Sequence, residues 1–320
     1  MAILDDFLKE AKTIAVSGHV NPDGDCLGST LGCYNYVKEN YPQASVSIYL
    51  DSSSEVFDFL PGHAAIEELR PKERVFDLFI ALDCAEEGRL GDSLRLFKNA
   101  STTICIDHHV SNPGFADHNY IEADASSASE VLYTLIDPDR VSRNTAICIY
   151  NGIVHDTGVF QYSCTGKRTM DIAGTLIEYG FDFPKLITET FYEKSYGQNR
   201  MMGKVICESE LHFGGKVISG VARLEDMKKY GVTSKDMDGI VEQLRQTKGI
   251  ELALFMYQID GGWKVSMRSH GLNVSDIAVS FGGGGHERSA GCSMMKMSYE
   301  QALEKILPSI KEALDSYGND

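Results

Sequence analysis

Four short apolar runs mark the first third of the chain: TIAVSG (13–18), SVSIYL (45–50), FDLFIALD (76–83) and TTICID (102–107). Their length and β-branched content predict buried strands. Between them Leu27, Leu31, Tyr34 and Val37 recur at helical spacing, as do Leu90, Leu94 and Phe97. Strands alternating with helices predict a parallel α/β sheet joined by right-handed crossovers. Helical patterns follow over 126–136, 143–154, 168–179 and a run near 184–209. Strand patterns then appear at 211–221, 250–259 and 263–269, with a helix at 233–246 among them. GGWKV (261–265) reads as a hairpin turn, and a last helix covers 298–316. The expected architecture is an α/β domain over 1–190, with helices on both faces of its sheet. A helical connector (191–210) leads to a smaller α+β domain over 211–320.

At 320 residues the chain is longer than a single core usually fills, about 250–300 residues. The start, MAILDDFLKEAKTIAV, lacks the basic and apolar regions of a signal peptide, and no stretch has the roughly 18 apolar residues of a membrane span. Eight Cys without a CxxC pair predict reduced thiols in a cytoplasmic protein. The net charge of −16 argues against a long nucleic-acid track. Residues 1–205 hold 17 Lys/Arg against 30 Asp/Glu, whereas 206–320 hold 13 against 16. A cation site in the first part and an anion-binding surface in the second account for this asymmetry, as does a chance spread of surface charge.

Acidic and histidine residues recur at the ends of the predicted elements: His19, Asp23 and Asp25, then Asp83, then Asp107-His108-His109, then His155-Asp156. In parallel sheets ligands bind beyond the carboxyl ends of strands. Singly, each group has a plainer reading: an Asx turn for DGD, a strand-end carboxylate for Asp83, a solvated turn for DHH, a helix cap for His155-Asp156. Together they supply the oxygen and nitrogen ligands of a two-metal site, without Cys, which suits Mn²⁺ with Mg²⁺ or Co²⁺ behind it. Five clustered carboxylates would repel one another unless about +4 of metal charge stood among them. Four glycines before His286 read either as a hinge or as backbone laid bare for a phosphate. Arg268 is either a surface cation or a phosphate clamp.

GHVNPDGDCLGS, ALDCAE, IDHHVSN and GIVHDTGVF resemble the four successive motifs of the DHH phosphoesterase superfamily, and FGGGGHERSAGC (281–292) resembles the signature of its DHH-associated domain. The resemblance spans essentially the whole chain and is nearest to the bifunctional oligoribonucleases (nanoRNases) and 3′-phosphoadenosine-5′-phosphate (pAp) phosphatases. It implies one metal on His19, Asp23 and Asp83, and another on Asp25, Asp83, His108 and Asp156, with Asp83 shared and catalytic. It further implies that Asp107 orients His108 or its neighbours and that His109 approaches the phosphate or the leaving group. Arg268, Ser269, Asn273, Gly283, Gly284, Gly285 and His286 would surround the terminal nucleotide of a short RNA or nucleotide substrate. His155, His270, Glu287 and Arg288 receive no defined role, and His63, His118 and His212 are read as structural.

Three rival readings stand beside this one. A hydrolase of linear cyclic-dinucleotide products such as pApA shares the class, and a manganese inorganic pyrophosphatase shares the four metal motifs. A catalytically silent nucleotide-binding protein belongs to another class, although every expected ligand is in place. Long nucleic acid and membranes are not expected partners, and a homodimer is compatible with the sequence.

Overall fold

The computed structural model describes residues 2–51, 54–67 and 74–317. It divides into two compact units, Met1–Glu193 and Lys194–Asp320.

Among the described residues, the first unit contains five strands: β1 (Thr13–Ser17), β2 (Ser45–Tyr49), β3 (Leu78–Leu82), β4 (Thr102–Asp107) and β5 (His118–Ile121). All pairs are parallel, in the order β2-β1-β3-β4-β5. Its helices are α1 (Ile3–Glu10), α2 (Gly24–Asn40), α3 (Leu94–Lys98), α4 (Ala128–Leu135), α5 (Arg143–Asp156), α6 (Lys167–Ile177) and α7 (Phe183–Ile187). Side chains alternate across the sheet, as strand geometry requires. Ile14, Val16, Leu78 and Ile80 join α1, α2, α4 and α5 in one core, while Ala15, Phe79 and Ala81 meet Leu96 and Phe97 of α3 in another. Both faces are therefore buried, which explains the continuous apolar runs. β5 went unpredicted because HNYI is polar and half-exposed.

The second unit has a six-stranded mixed sheet. Its strands are β6 (Glu210–His212), β7 (Val217–Ala222), β8 (Leu252–Ile259), β9 (Gly262–Ser269), β10 (Gly284–His286) and β11 (Ser289–Met295), ordered β10-β11-β9-β8-β7-β6. Only β7 and β8 pair in parallel. Its helices are α8 (Tyr196–Cys207), α9 (Leu224–Tyr230), α10 (Ile240–Arg245), α11 (Val274–Ser280) and α12 (Tyr299–Tyr317). Val265 and Met267 pack with α11 and α12 on one face; Ala253 and Phe255 pack with α8 and α10 on the other.

Three expectations change here. The strand expected over 211–221 is the β6–β7 hairpin, bent at Gly214 (φ 69°) and Gly215 (φ 85°). The helix expected over 233–246 breaks at Gly239 (φ 84°), leaving a short turn and α10. The run near 184–209 consists of α7, a π-helical turn at Thr188–Tyr192, and α8, whose Met201 and Val205 enter the second unit's core. The β8–β9 turn is the expected hairpin, with Ile259 opposite Gly262 and Gly261 at φ 72°.

Candidate metal centre and the glycine-rich strand

The chain leaves β1 for β2 on one side and returns to β3 on the other, so the carboxyl ends of β1 and β3 flank the switch point of the sheet. His19 lies two residues past β1 and Asp83 follows β3 directly. A Cβ on Gly18 would stand 2.3 Å from Cys26 Sγ, so the chain turns tightly before His19. Asp83 adopts φ 54°, a left-handed backbone that costs of order 1–3 kcal/mol for a non-glycine residue and that Asp tolerates better than most.

Asp83 joins the other candidates. Its Oδ2 is 3.5 Å from His19 Nε2, and its Oδ1 is 3.7 Å from both His108 Nε2 and His109 Nδ1. His19 Nε2 lies 3.7 Å from Asp23 Oδ2, and His108 Nε2 lies 3.1 Å from Asp156 Oδ2. Asp23 caps α2 by accepting from the amides of Asp25 and Cys26, and Asp156 is the last residue of α5. Asp25 is buried and accepts from the Ala128 and Ser129 amides, at 2.7 and 3.0 Å, at the start of α4.

Residues around these side chains orient them. His19 Nδ1 donates to the Val20 carbonyl at 2.9 Å, which leaves Nε2 facing the carboxylates of Asp23 and Asp83. Asp107, fully buried, holds His109 Nδ1 at 2.8 Å and accepts from Asn112 Nδ2 at 2.6 Å. The orienting partner of Asp107 is thus His109, while the backbone of Ala125 faces His108 and favours its charged form.

The charge balance points to cations. Burial and the neighbouring Asp83 push Asp25 well above the carboxylate range; burial, Asp25 and Asp83 do the same to Asp156. Burial lowers His108. Burial opposes protonation of His19, but Asp23 and Asp83 outweigh it and raise the imidazole. The hydrogen bond to Asp107 raises His109. Among the described residues, Asp83 Oδ1 is a buried oxygen with no hydrogen-bond partner. Such an atom, ringed by His nitrogens and carboxylates, fits a divalent cation. Asp25, His108 and Asp156 bring ligand atoms within 4.8 Å of one another, as do Asp83, His108 and His109. Cys26 does the same with His19 and Asp83, a sulfur the sequence reading left aside. Burial pushes its thiol up to about 12, so in the absence of a cation it is protonated.

Asn112 and the α4 amides were not expected to take part. The capping-box spacing Ser127-x-x-Glu130 at the start of the helix expected over 126–136 is the signal that could have pointed to these amides. His155 packs its ring on Gly24, where a Cβ would stand 2.2 Å away, and hydrogen-bonds Thr190 at 2.9 Å. It supports the start of α2.

In the second unit, the glycine run ends in an edge strand that begins at Gly284. β10 pairs with β11, with Gly285 at φ 144° and a Cβ there 2.5 Å from the Ser289 carbonyl. Gly283 is closed in by the Gly291 carbonyl at 2.2 Å, whereas Gly284 faces open space. Ser289 lies opposite both Arg268 and His286, so these three side chains form one row on one face of the sheet. Ser269 and Asn273 have other work. Ser269 is buried with its hydroxyl on the Leu272 carbonyl, and Asn273 caps α11 through the amides of Ser275 and Asp276. The exposed Glu287 and Arg288 form the β10–β11 turn, and their carbonyls accept from Val274 and Ser269. His270 holds Arg245 of α10 at 2.8 Å. His63 faces Asp58, His118 stacks on Phe7, and His212 bonds Ser219.

A parallel α/β unit whose His/Asp cluster at the switch point could hold metal, followed by a sheet edged with glycine, is the arrangement of a two-domain phosphoesterase. The DHH family N-terminal domain matches residues 13–153 and the DHHA1 domain matches 214–316, and the chain belongs to the DHH family of phosphoesterases. It is 28% identical to the bifunctional oligoribonuclease and PAP phosphatase NrnA of Thermus thermophilus, covering 99% of this chain and 95% of that protein. Identity to the Bacillus subtilis protein of the same name is 27%, over 93% and 94%. An exopolyphosphatase-related protein from Bacteroides fragilis shares the fold, with a TM-score of 0.87 at 23% identity over 98% of this chain and 95% of that one. Among the described residues, no helix is long and apolar enough to cross a membrane.

Proposed function

We propose that the protein hydrolyses short oligoribonucleotides to nucleoside 5′-monophosphates and pAp to AMP and phosphate. The observation that carries this reading is the convergence of His19, His108 and His109 within 3.7 Å of the Asp83 carboxylate. Full-length similarity to proteins named bifunctional oligoribonuclease and PAP phosphatase supports the substrate class. A substrate of about two to five nucleotides has few phosphates to neutralise, which agrees with a net charge of −16.

His19, Asp23 and Asp83 would hold one cation, and Asp25, Asp83, His108 and Asp156 the other; Mn²⁺ best suits this donor set. When bound, the pair supplies an acidified water and a positive field on the phosphoryl group. His109, its Nδ1 on Asp107, is the proton donor to the leaving oxygen through Nε2, and Asp107 stabilises its charged form. Arg268 and His286, with the Gly284 backbone between β11 and solvent, are the donors for a substrate phosphate.

Product analysis on pAp, pApA and two- to five-mer RNA with Mn²⁺ tests the proposal. Release of AMP from pAp and of mononucleotides from RNA is the expected result. Turnover of pApA alone would move the assignment to cyclic-dinucleotide products, and no release from any substrate would overturn it.

A further inference from the structure

The segment 122–130, which runs from the end of β5 into the first turn of α4, contains no candidate ligand, yet it touches three residues of the cluster. The Ala128 and Ser129 amides hold the two oxygens of Asp25 at 2.7 and 3.0 Å, and the backbone of Ala125 faces His108 and favours its charged form. The Glu122 amide donates to the Asp107 carbonyl at 3.0 Å. The position of this segment therefore determines where two candidate ligands stand.

Glu130, in the first turn of α4, holds it there. The side chain is 2% exposed, and a buried carboxylate is tolerated only when fully bonded. Its Oε2 accepts from the Ser126 hydroxyl at 2.5 Å, the Ser126 amide at 3.3 Å and the Thr169 hydroxyl at 2.7 Å. Its Oε1 takes Arg168 Nε at 2.6 Å, and Nη1 of the same guanidinium reaches Glu122 at 2.7 Å. One arginine of α6 thus ties both ends of the segment 122–130. An ordinary capping-box glutamate returns to the N-cap amide. Glu130 instead reaches one residue further back, to Ser126, and pairs with another helix.

We propose that the Glu130–Arg168 pair is a positioning element that sets the affinity of the cluster for divalent cations, by fixing the 122–130 segment against Asp25 and His108. The inference rests on the metal reading above. It does not depend on which nucleotide is hydrolysed.

The test is calorimetric titration of the chelator-stripped full chain with Mn²⁺ alone, alongside thermal unfolding without metal. Glu130→Gln and Arg168→Met are expected to weaken Mn²⁺ binding by roughly 10–100-fold, the range for outer partners of metal ligands. Arg168→Lys keeps the charge but cannot bridge both glutamates, and is expected to weaken binding severalfold; it serves if the other two fail to fold. Arg140→Ala, which cuts a half-buried pair with Asp5 elsewhere in the unit, should lower the unfolding temperature without changing the Mn²⁺ affinity. Folded Glu130 and Arg168 variants that bind Mn²⁺ within twofold of the parent would overturn the inference and leave the substrate assignment standing. A parent that takes up no Mn²⁺ would overturn it together with the metal reading.

Discussion

Gly28 of α2 and Gly152 of α5 meet backbone to backbone: a Cβ on Gly28 would stand 2.6 Å from the Gly152 nitrogen and 2.6 Å from the Cys148 carbonyl. Asp25 begins one of these helices and Asp156 ends the other, so the crossing sets the span between two candidate ligands. A Cβ on Gly152 would stand 1.9 Å from Ser129 Oγ and 2.6 Å from Asp25 Oδ1. Gly152→Ala is therefore expected to cost about 1–3 kcal/mol of stability by overpacking. It should also weaken Mn²⁺ binding, which thermal unfolding and metal titration would read separately.

Asp83→Asn keeps a residue that accepts the left-handed backbone while removing the shared charge. Hydrolysis of pAp and of dinucleotides should fall by more than the roughly 100-fold typical of losing an outer partner. Without metal the variant should unfold at a higher temperature than the parent, because a carboxylate facing Asp25 and Asp156 is gone. The rise in unfolding temperature on adding Mn²⁺ should shrink. A metal-free melting point below the parent's would count against the repulsion argument.

His109→Asn removes the proposed proton donor and leaves the proposed cation ligands in place. kcat should drop by about 10²–10⁴-fold, with Mn²⁺ affinity changed little. Because Asp107 raises His109, Asp107→Asn should shift the alkaline limb of the kcat profile to lower pH. A profile unmoved by that substitution would dismiss the pairing as a proton device.

Stability at acid pH offers a separate check. Burial alone would raise Glu130, but hydrogen bonds from Ser126, Thr169 and Arg168 hold it below the usual carboxylate range. A folded value below the unfolded one, near ~4.3, gives stability that is complete above the unfolded value and lost as pH falls through the folded one. Urea midpoints between pH 7 and pH 3 should therefore fall less steeply for Glu130→Gln than for the parent.

In the second unit, Arg268→Ala should raise KM for pAp and short RNA while largely sparing kcat. Gly285→Ala, strained at φ 144° and pressed on the Ser289 carbonyl, should act in the same direction by displacing β10. Unchanged KM in both variants would remove this edge from the binding surface.

The sequence made the first unit legible because β1 to β4 are buried on both faces, so their apolar runs needed no periodicity to be seen. The candidate ligands were legible because strand and helix ends concentrate them into short motifs. What escaped depended on contacts between distant residues. The partner of Asp107 could be His108 or His109 by spacing alone, and the fold gives His109. Ser269 and Asn273 stood beside Arg268 in sequence, but one is turned into the core and the other spends its side chain on a helix cap. The glycine run read equally well as a hinge, since only its pairing with β11 marks it as a strand. Hairpin bends at Gly214 and Gly215 split an expected strand, and Gly239 split an expected helix, because a left-handed glycine interrupts a pattern without changing its hydrophobicity.

The Gly28–Gly152 crossing also bears on how the cluster comes apart. Two helices in backbone contact leave no side-chain layer that could loosen ahead of the rest. Amide hydrogens in the first turn of α2 and the last turn of α5 should therefore exchange through global opening of the first unit, at one common rate under denaturant. Cation loss by heat would then coincide with melting of that unit, whereas a chelator would have to withdraw metal from an intact fold.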